Sequence, residues 1–142
     1  MNKMVSFEGI GYVAATFPVD STTQTYLKTN YTEPTTGNVD INGKQLAVKL
    51  NADGTVGFGQ STVAKTDALL GIIMAYEMDG YASVQIAGGV DNVPTKAAIT
   101  AGRQSLAVND KGQIEVLSAG GARDTVVAQA STGENLFASI IL

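Results

Sequence analysis

At 142 residues the chain has the length of one domain, able to bury about 70% of its unfolded surface with no metal or disulfide to staple it. It contains no Cys and no His, which excludes disulfides, thiolate nucleophiles and Cys-ligated zinc, and removes the commonest general base and metal ligand together. A net charge of −4, with only 15% charged residues, does not favour nucleic acid, whose phosphates demand clustered Lys and Arg, and predicts a neutral surface suited to β-structure and to cover by other subunits.

Residues 1–38 differ in character from the rest of the chain. They are rich in Thr and Asn, hold Pro18 and Pro34, and carry five of the nine aromatic rings, Phe7, Tyr12, Phe17, Tyr26 and Tyr31. So many rings do not suit a disordered tail, which is aromatic-poor. Two arrangements account for them: packing on the domain's own core, or an extended arm that lies on a neighbouring subunit. No continuous apolar stretch follows Lys3, so a secretory signal is not expected.

From Val39 the hydrophobic period becomes two. Leu46, Val48 and Leu50 alternate with Gln45, Ala47 and Lys49 as in a half-buried strand, and Asp53-Gly54 supplies the tight turn that returns the chain through Thr55-Val56-Gly57-Phe58. Asp67–Met78 could open on a helix cap at Asp67, with Leu70, Ile73 and Met74 on one face. Its β-branched counterpart Thr125-Val126-Val127 favours a strand instead. The apolar run Ala68–Tyr76 is too short to cross a membrane as a helix. Asp79-Gly80 turns the chain into a strand with Ala82, Val84 and Ile86 on one side. Residues 87–97 read as a linker, Asn109–Gly112 as a second hairpin turn, and Leu136–Leu142 as a terminal strand.

The chain makes this pattern twice. Gly43–Val48 matches Gly102–Val108, Asp53-Gly54-Thr55-Val56 matches Lys111-Gly112-Gln113-Ile114, Leu69-Leu70-Gly71 falls on Val126-Val127-Ala128, and Ala82–Ile86 falls on Ala138–Leu142. Turn, strand and spacing repeat while no acid, base or nucleophile does, so the repetition is architectural.

Other constellations are weak. Gly9-Ile10-Gly11 and Gly57-Phe58-Gly59 lack the remaining residues of a phosphate loop and read as turns or bulges. Thr62-Val63-Ala64-Lys65 has hydroxyl-x-x-Lys spacing without companion motifs. Glu77 and Asp79 flank Met78 as a carboxylate pair, but Asp79 is explained by its turn. Asp91-Asn92 and Asn109-Asp110 lack the alternating oxygen spacing of a calcium loop.

The second copy, with Ala98-Ile99-Thr100-Ala101-Gly102, Leu106-Ala107-Val108, the Gly112 turn, Val126-Val127-Ala128 and Ala138–Leu142, resembles the capsid decoration, or cement, proteins of tailed bacteriophages. The resemblance is best over 97–142 and reaches 43–86 by internal repetition; 1–38 lie outside it. It implies a compact β-domain, a homotrimer, and binding to the major capsid protein on the outside of the head, and it brings no catalytic residues.

The expected protein is therefore all-β: a compact β-barrel or β-sandwich of two similar hairpin-rich repeats (43–86 and 98–142) within a β-domain spanning 39–142, preceded by an extended N-terminal arm over 1–38. It is expected to be a non-enzymatic virion protein, made in the host cytoplasm, that stabilises the capsid from outside. Cofactor, metal, nucleic acid and membrane are not expected. In the arm reading, Phe7, Tyr12, Phe17, Tyr26 and Tyr31 are the partner-binding anchors. The rivals are another virion component (head fibre base, tail or minor capsid subunit) and a carbohydrate-binding module using Tyr76 or Tyr81.

Overall fold

The computed structural model describes residues 11–60, 65–77, 79–117 and 124–142. Its elements are β1 (Val13–Pro18), α1 (Ser21–Tyr31), β2 (Ala47–Leu50), β3 (Val56–Gly57), β4 (Gly71–Tyr76), β5 (Tyr81–Ala87), β6 (Gly89–Pro94), β7 (Gly102–Val108), β8 (Ile114–Val116), β9 (Asp124–Gln129) and β10 (Phe137–Ile141), with a 3-10 turn at Lys65–Asp67. The strands form two five-stranded antiparallel sheets, in line with the all-β barrel or sandwich the sequence predicts. The Asp67–Met78 segment is a strand over Gly71–Tyr76, as its β-branched counterpart suggests.

The first sheet runs β1-β5-β4-β2-β3 and the second β6-β10-β9-β7-β8. Shifting each label of the first by five gives the second. Parallel bridges Val19↔Val56 and Thr95↔Ile114 occupy corresponding places. So do the hydrogen bonds from Val19 N–H to the Gly80 carbonyl (2.9 Å) and from Thr95 N–H to the Leu136 carbonyl (2.9 Å). The structural repeat is thus larger than the sequence pattern. It takes in β1, which lies in the stretch expected to be an extended arm, and β6, which lies in the stretch expected to be a linker. The arm expectation is corrected over 13–31: this segment is an edge strand followed by a helix, both folded against the domain.

The repeat's internal register is also adjusted. The hairpin turns superimpose as the sequence predicts, since Asn51 N–H donates to Thr55 O (2.8 Å) and Asn109 N–H to Gln113 O (3.0 Å), with Gly54 and Gly112 at φ 85° and 75°. Leu50, however, corresponds to Val108, because Leu50 pairs with Val56 as Val108 pairs with Ile114. The shared Leu-Ala-Val triplets are therefore two residues out of step. A shift of two leaves every side chain on its original face, so burial pattern alone cannot detect it. Likewise Ile72-Ile73, rather than Leu69-Leu70, sits where Val126-Val127 sits, opposite Gln85-Val84 and Ile141-Ile140 respectively.

Helix α1 fills the place that a short link occupies in the second unit. Its sequence, STTQTYLKTNY, is a poor helix former, and Thr25, Thr29 and Asn30 all donate side-chain bonds back to carbonyls four residues earlier. Tertiary anchoring holds it instead. Asp20 caps the helix by accepting Thr23 N–H on Oδ1 (2.7 Å) and binds Asn51 Nδ2 through Oδ2 (2.9 Å), while the Thr23 hydroxyl accepts Phe58 N–H (2.9 Å). Leu27 is fully buried. Asp20→Ala is expected to cost about 1–2 kcal/mol, with loss of helical signal, as read by circular dichroism through thermal unfolding.

Two cores result. One lies between α1 and the first sheet, joining Leu27, Ile41, Val48, Val56, Phe58, Ile73 and Val84. The other joins Val93, Ile99, Leu106, Ile114, Val127 and Ile140 of the second unit to Ala47 and Ile72 of the first. Sheet one is therefore buried on both faces along β2 and β4.

Candidate interaction surface

Corresponding strands β1 and β6 stand at corresponding sheet edges, and the two edges are treated differently. Unpaired strand edges invite pairing with other chains, and proteins blunt them with charge, bulges or cover. At β6 all three devices are present. Asp91 supplies a charge, Asn92 takes φ 56° opposite a register shift between Ala138 and Ile140, and Gln45 Nε2 donates to the Asp91 carbonyl (3.2 Å). Strand β1 lacks the charge, although its pairing with β5 shifts register between Val13 and Ala14 and it ends on Pro18. VAATFP contains no charged residue, its pairing with β5 is regular from Ala14 to Pro18, and among the described residues nothing pairs with its other edge. Ala14 and Thr16 are exposed, and Tyr12 and Val13 beside them are 62% and 55% exposed. The edge is neutral and flanked by apolar groups.

The five rings proposed as anchors part company here. Phe17, Tyr26 and Tyr31 pack on the core under α1, where Tyr26 meets Phe58 edge-on (centroids 5.3 Å) and Tyr31 at a tilt (6.4 Å). Their grouping as arm anchors on a neighbour is therefore corrected for these three, because intrachain packing already uses them. Burial, followed by the nearby Tyr31 and Asp110, pushes the Tyr26 phenol above its ordinary pKa. Tyr12 remains outward at the β1 edge. Phe7 lies outside the described residues.

No family model, curated protein or solved structure matches this chain.

The other polar candidates are engaged in holding turns or, for Asp91, in joining β6 to β10. Asp79 accepts Tyr81 N–H (3.2 Å) while Glu77 N–H donates to the Tyr81 carbonyl, so that carboxylate pair belongs to the β4–β5 turn. Asp91 accepts from the Ser139 hydroxyl (2.9 Å), and Asn109 Oδ1 accepts both Lys111 N–H and Gln113 N–H. Asp53 takes the Thr55 hydroxyl (2.6 Å), which holds its carboxyl below the usual range. Gly57 and Gly59 allow close approach of other groups: an added Cβ would lie 1.8 Å from Asp20 Oδ2 or 1.9 Å from the Val108 carbonyl oxygen. The Thr62–Lys65 motif is outside the described residues, apart from the backbone of Lys65, and so are Gly9 and Ile10 of the first Gly-x-Gly. Among the described residues no three His, Cys, Asp or Glu gather as a metal site.

One ionic feature escaped sequence reasoning. Asp67 is fully buried, accepts Lys49 Nζ at 2.8 Å and accepts Gln60 N–H at 3.1 Å. The two partners are 18 positions apart, on different elements. Only the unusual Asp at the head of an apolar run hinted at a buried role.

Tyr76 and Tyr81, the rings of the sugar-binding alternative, are not equivalent. Tyr76 is half-buried, its hydroxyl donating to Gln24 Oε1 (3.2 Å) and its pKa raised by burial and then by Asp79, whereas Tyr81 is 44% exposed. A groove of about 400 Å³ elsewhere, lined by Tyr26, Tyr31, Lys44, Lys111, Gln113 and Phe137, gathers more aromatic surface than either.

Proposed function

We propose that this chain is a structural protein of a tailed-bacteriophage virion: a decoration protein that binds the major capsid protein on the outside of the head, acts as a homotrimer, and stabilises the shell without catalysis or cofactor. The observation that carries the reading is the uncharged β1 edge, exposed at Val13 and with exposed Tyr12 beside it, set against the β6 edge of the same fold, which carries Asp91. A monomer in free solution is poorly served by such an edge, whereas an assembled protein covers it. The scarcity of charge fits the same demand, since area and packing rather than point charges hold a broad stable contact. Other virion roles, at a head fibre base, in a tail or as a minor capsid subunit, would use the same surface.

The test is light scattering of the purified protein, followed by cosedimentation with phage heads that lack it. The expected results are a mass near three times the 14.7 kDa chain and saturable binding. A monomer that leaves heads unbound would overturn the proposal. It would favour the second reading, carbohydrate binding, for which the specific support is the groove between Tyr31 and Phe137 with Gln113 at its wall.

A further inference from the structure

We infer that the groove between α1 and the second unit binds a uronic-acid unit of a saccharide, with the sugar ring on the aromatic wall and the carboxylate bound by Lys44 and Lys111. This rests on the carbohydrate-binding reading of the same groove, names the sugar class, and does not depend on whether the chain also binds phage heads. The walls come from both units. Helix α1 brings Tyr26 and Tyr31, while Phe137, 47% exposed, stands opposite Pro94 where β10 pairs with β6. Lys111 and Gln113 come from the β7–β8 turn, which Asn109 Oδ1 holds by accepting both of their N–H groups (3.0 and 2.9 Å). Ala47 N–H donates to the Gly112 carbonyl (2.8 Å), and an added Cβ at Gly112 would stand 3.2 Å from Leu46, which also lines the groove. The turn is therefore fixed against the first unit, and the groove is formed before a ligand arrives.

The chemistry of the lining selects the ligand. Lys44 and Lys111 are exposed and in no ion pair among the described residues, and no Asp or Glu lines the groove, in a chain whose acids outnumber its bases by 13 to 9. Gln113 Oε1 already accepts Asn109 Nδ2 (2.9 Å), which leaves the Gln113 amide N–H groups for a ligand. Apart from the two tyrosine hydroxyls, the polar side chains therefore offer donors alone. A neutral sugar is poorly matched, because its hydroxyls donate as well as accept. A carboxylate only accepts, and it does so through charge-assisted bonds about twice as strong as neutral ones. A peptide is poorly matched too, since its main chain needs a free strand edge. Here β10 is enclosed by β6 and β9, β8 is bridged by Thr95, and β6 ends on Pro94, which has no N–H. A volume of about 400 Å³ lies in the range of small-ligand sites. The pocket beside Tyr76 lacks this one-sided chemistry, because Glu77 joins Lys28 in its lining.

Calorimetric titration of the purified full chain with galacturonate, glucuronate and mannuronate trisaccharides, and with their methyl esters, tests this. The expected result is binding of at least one acid, with its ester bound about tenfold or more weakly, and the same loss for the acid in Lys44→Gln and in Lys111→Gln. Phe137→Ala should weaken binding as well, and added salt should weaken it further. Lys28→Gln is the control: it removes the same charge beside Tyr76 and should leave the affinity unchanged. Circular dichroism establishes that each variant is folded. An ester bound as tightly as its acid overturns the inference and leaves carbohydrate binding standing, whereas no heat from any acid or ester overturns both. Full affinity in both lysine variants, an equal loss in Lys28→Gln, or an oligoglutamate bound as tightly as the sugar acids also overturns the inference.

Discussion

Gly59→Ala is expected to destabilise the protein by about 3 kcal/mol or more, a large effect for one methyl group. The added Cβ would stand 1.9 Å from the Val108 carbonyl oxygen and 3.0 Å from the Asp67 carboxyl carbon. A flexible side chain could swing away from such a contact. A strand carbonyl cannot, because Val108 is fixed by its pairing with Ile114, and Gly59 itself donates its N–H to Asn109 O at 3.0 Å. The substitution therefore forces the two units apart at the seam where the first crosses β7. Gly133→Ala is the control: nothing lies within 4 Å of its Cβ position, and little change is expected. Urea titration of both variants checks the pair, and equal midpoints would show that the seam yields.

Breaking the buried ion pair should cost as much. Lys49→Met leaves the Asp67 carboxylate at zero exposure without the ammonium now 2.8 Å away, and the expected loss is about 3–5 kcal/mol. An exposed pair would contribute less than about 1 kcal/mol, so the size of the loss reports burial. Lys49→Met combined with Asp67→Asn should recover most of it, since the neutral amide needs no counter-charge and its oxygen still accepts Gln60 N–H. A double-mutant cycle in denaturant reads the coupling directly. Additive losses from the two substitutions would show that the pair contributes no interaction of its own. Because Gly59 touches Asp67, the two perturbations are not independent and should not be summed.

The sequence made the hairpins legible because their turns rest on local chemistry: Asn51 and Asn109 begin them and Gly54 and Gly112 provide the positive φ. The terminal strand was legible for the same kind of reason, since Ala138 and Ile140 alternate inward. What escaped notice depended on distant partners. Strand β6 contains Asp91, Asn92 and Pro94, residues poor in strand propensity, and is held by β10 more than forty positions away. Helix α1 has only Thr23 and Leu27 fully turned inward, so its apolar stripe is too thin to read, although Asp20 at its head was an available cap signal. For the surface, composition foretold neutrality. Which edge is left open emerges only when β1 and β6 are seen in matching positions.

The uneven sharing of the two cores bears on how the chain comes to be folded as it leaves the ribosome. The core beneath α1 is built wholly from residues up to Ile86, so the first unit can consolidate before the second has been synthesised. The second cannot return the favour, because its interior is completed by Ala47 and Ile72, which the earlier half must already present. Duplicated in topology, the halves are unequal in autonomy: the first serves as the template, and the second closes upon it.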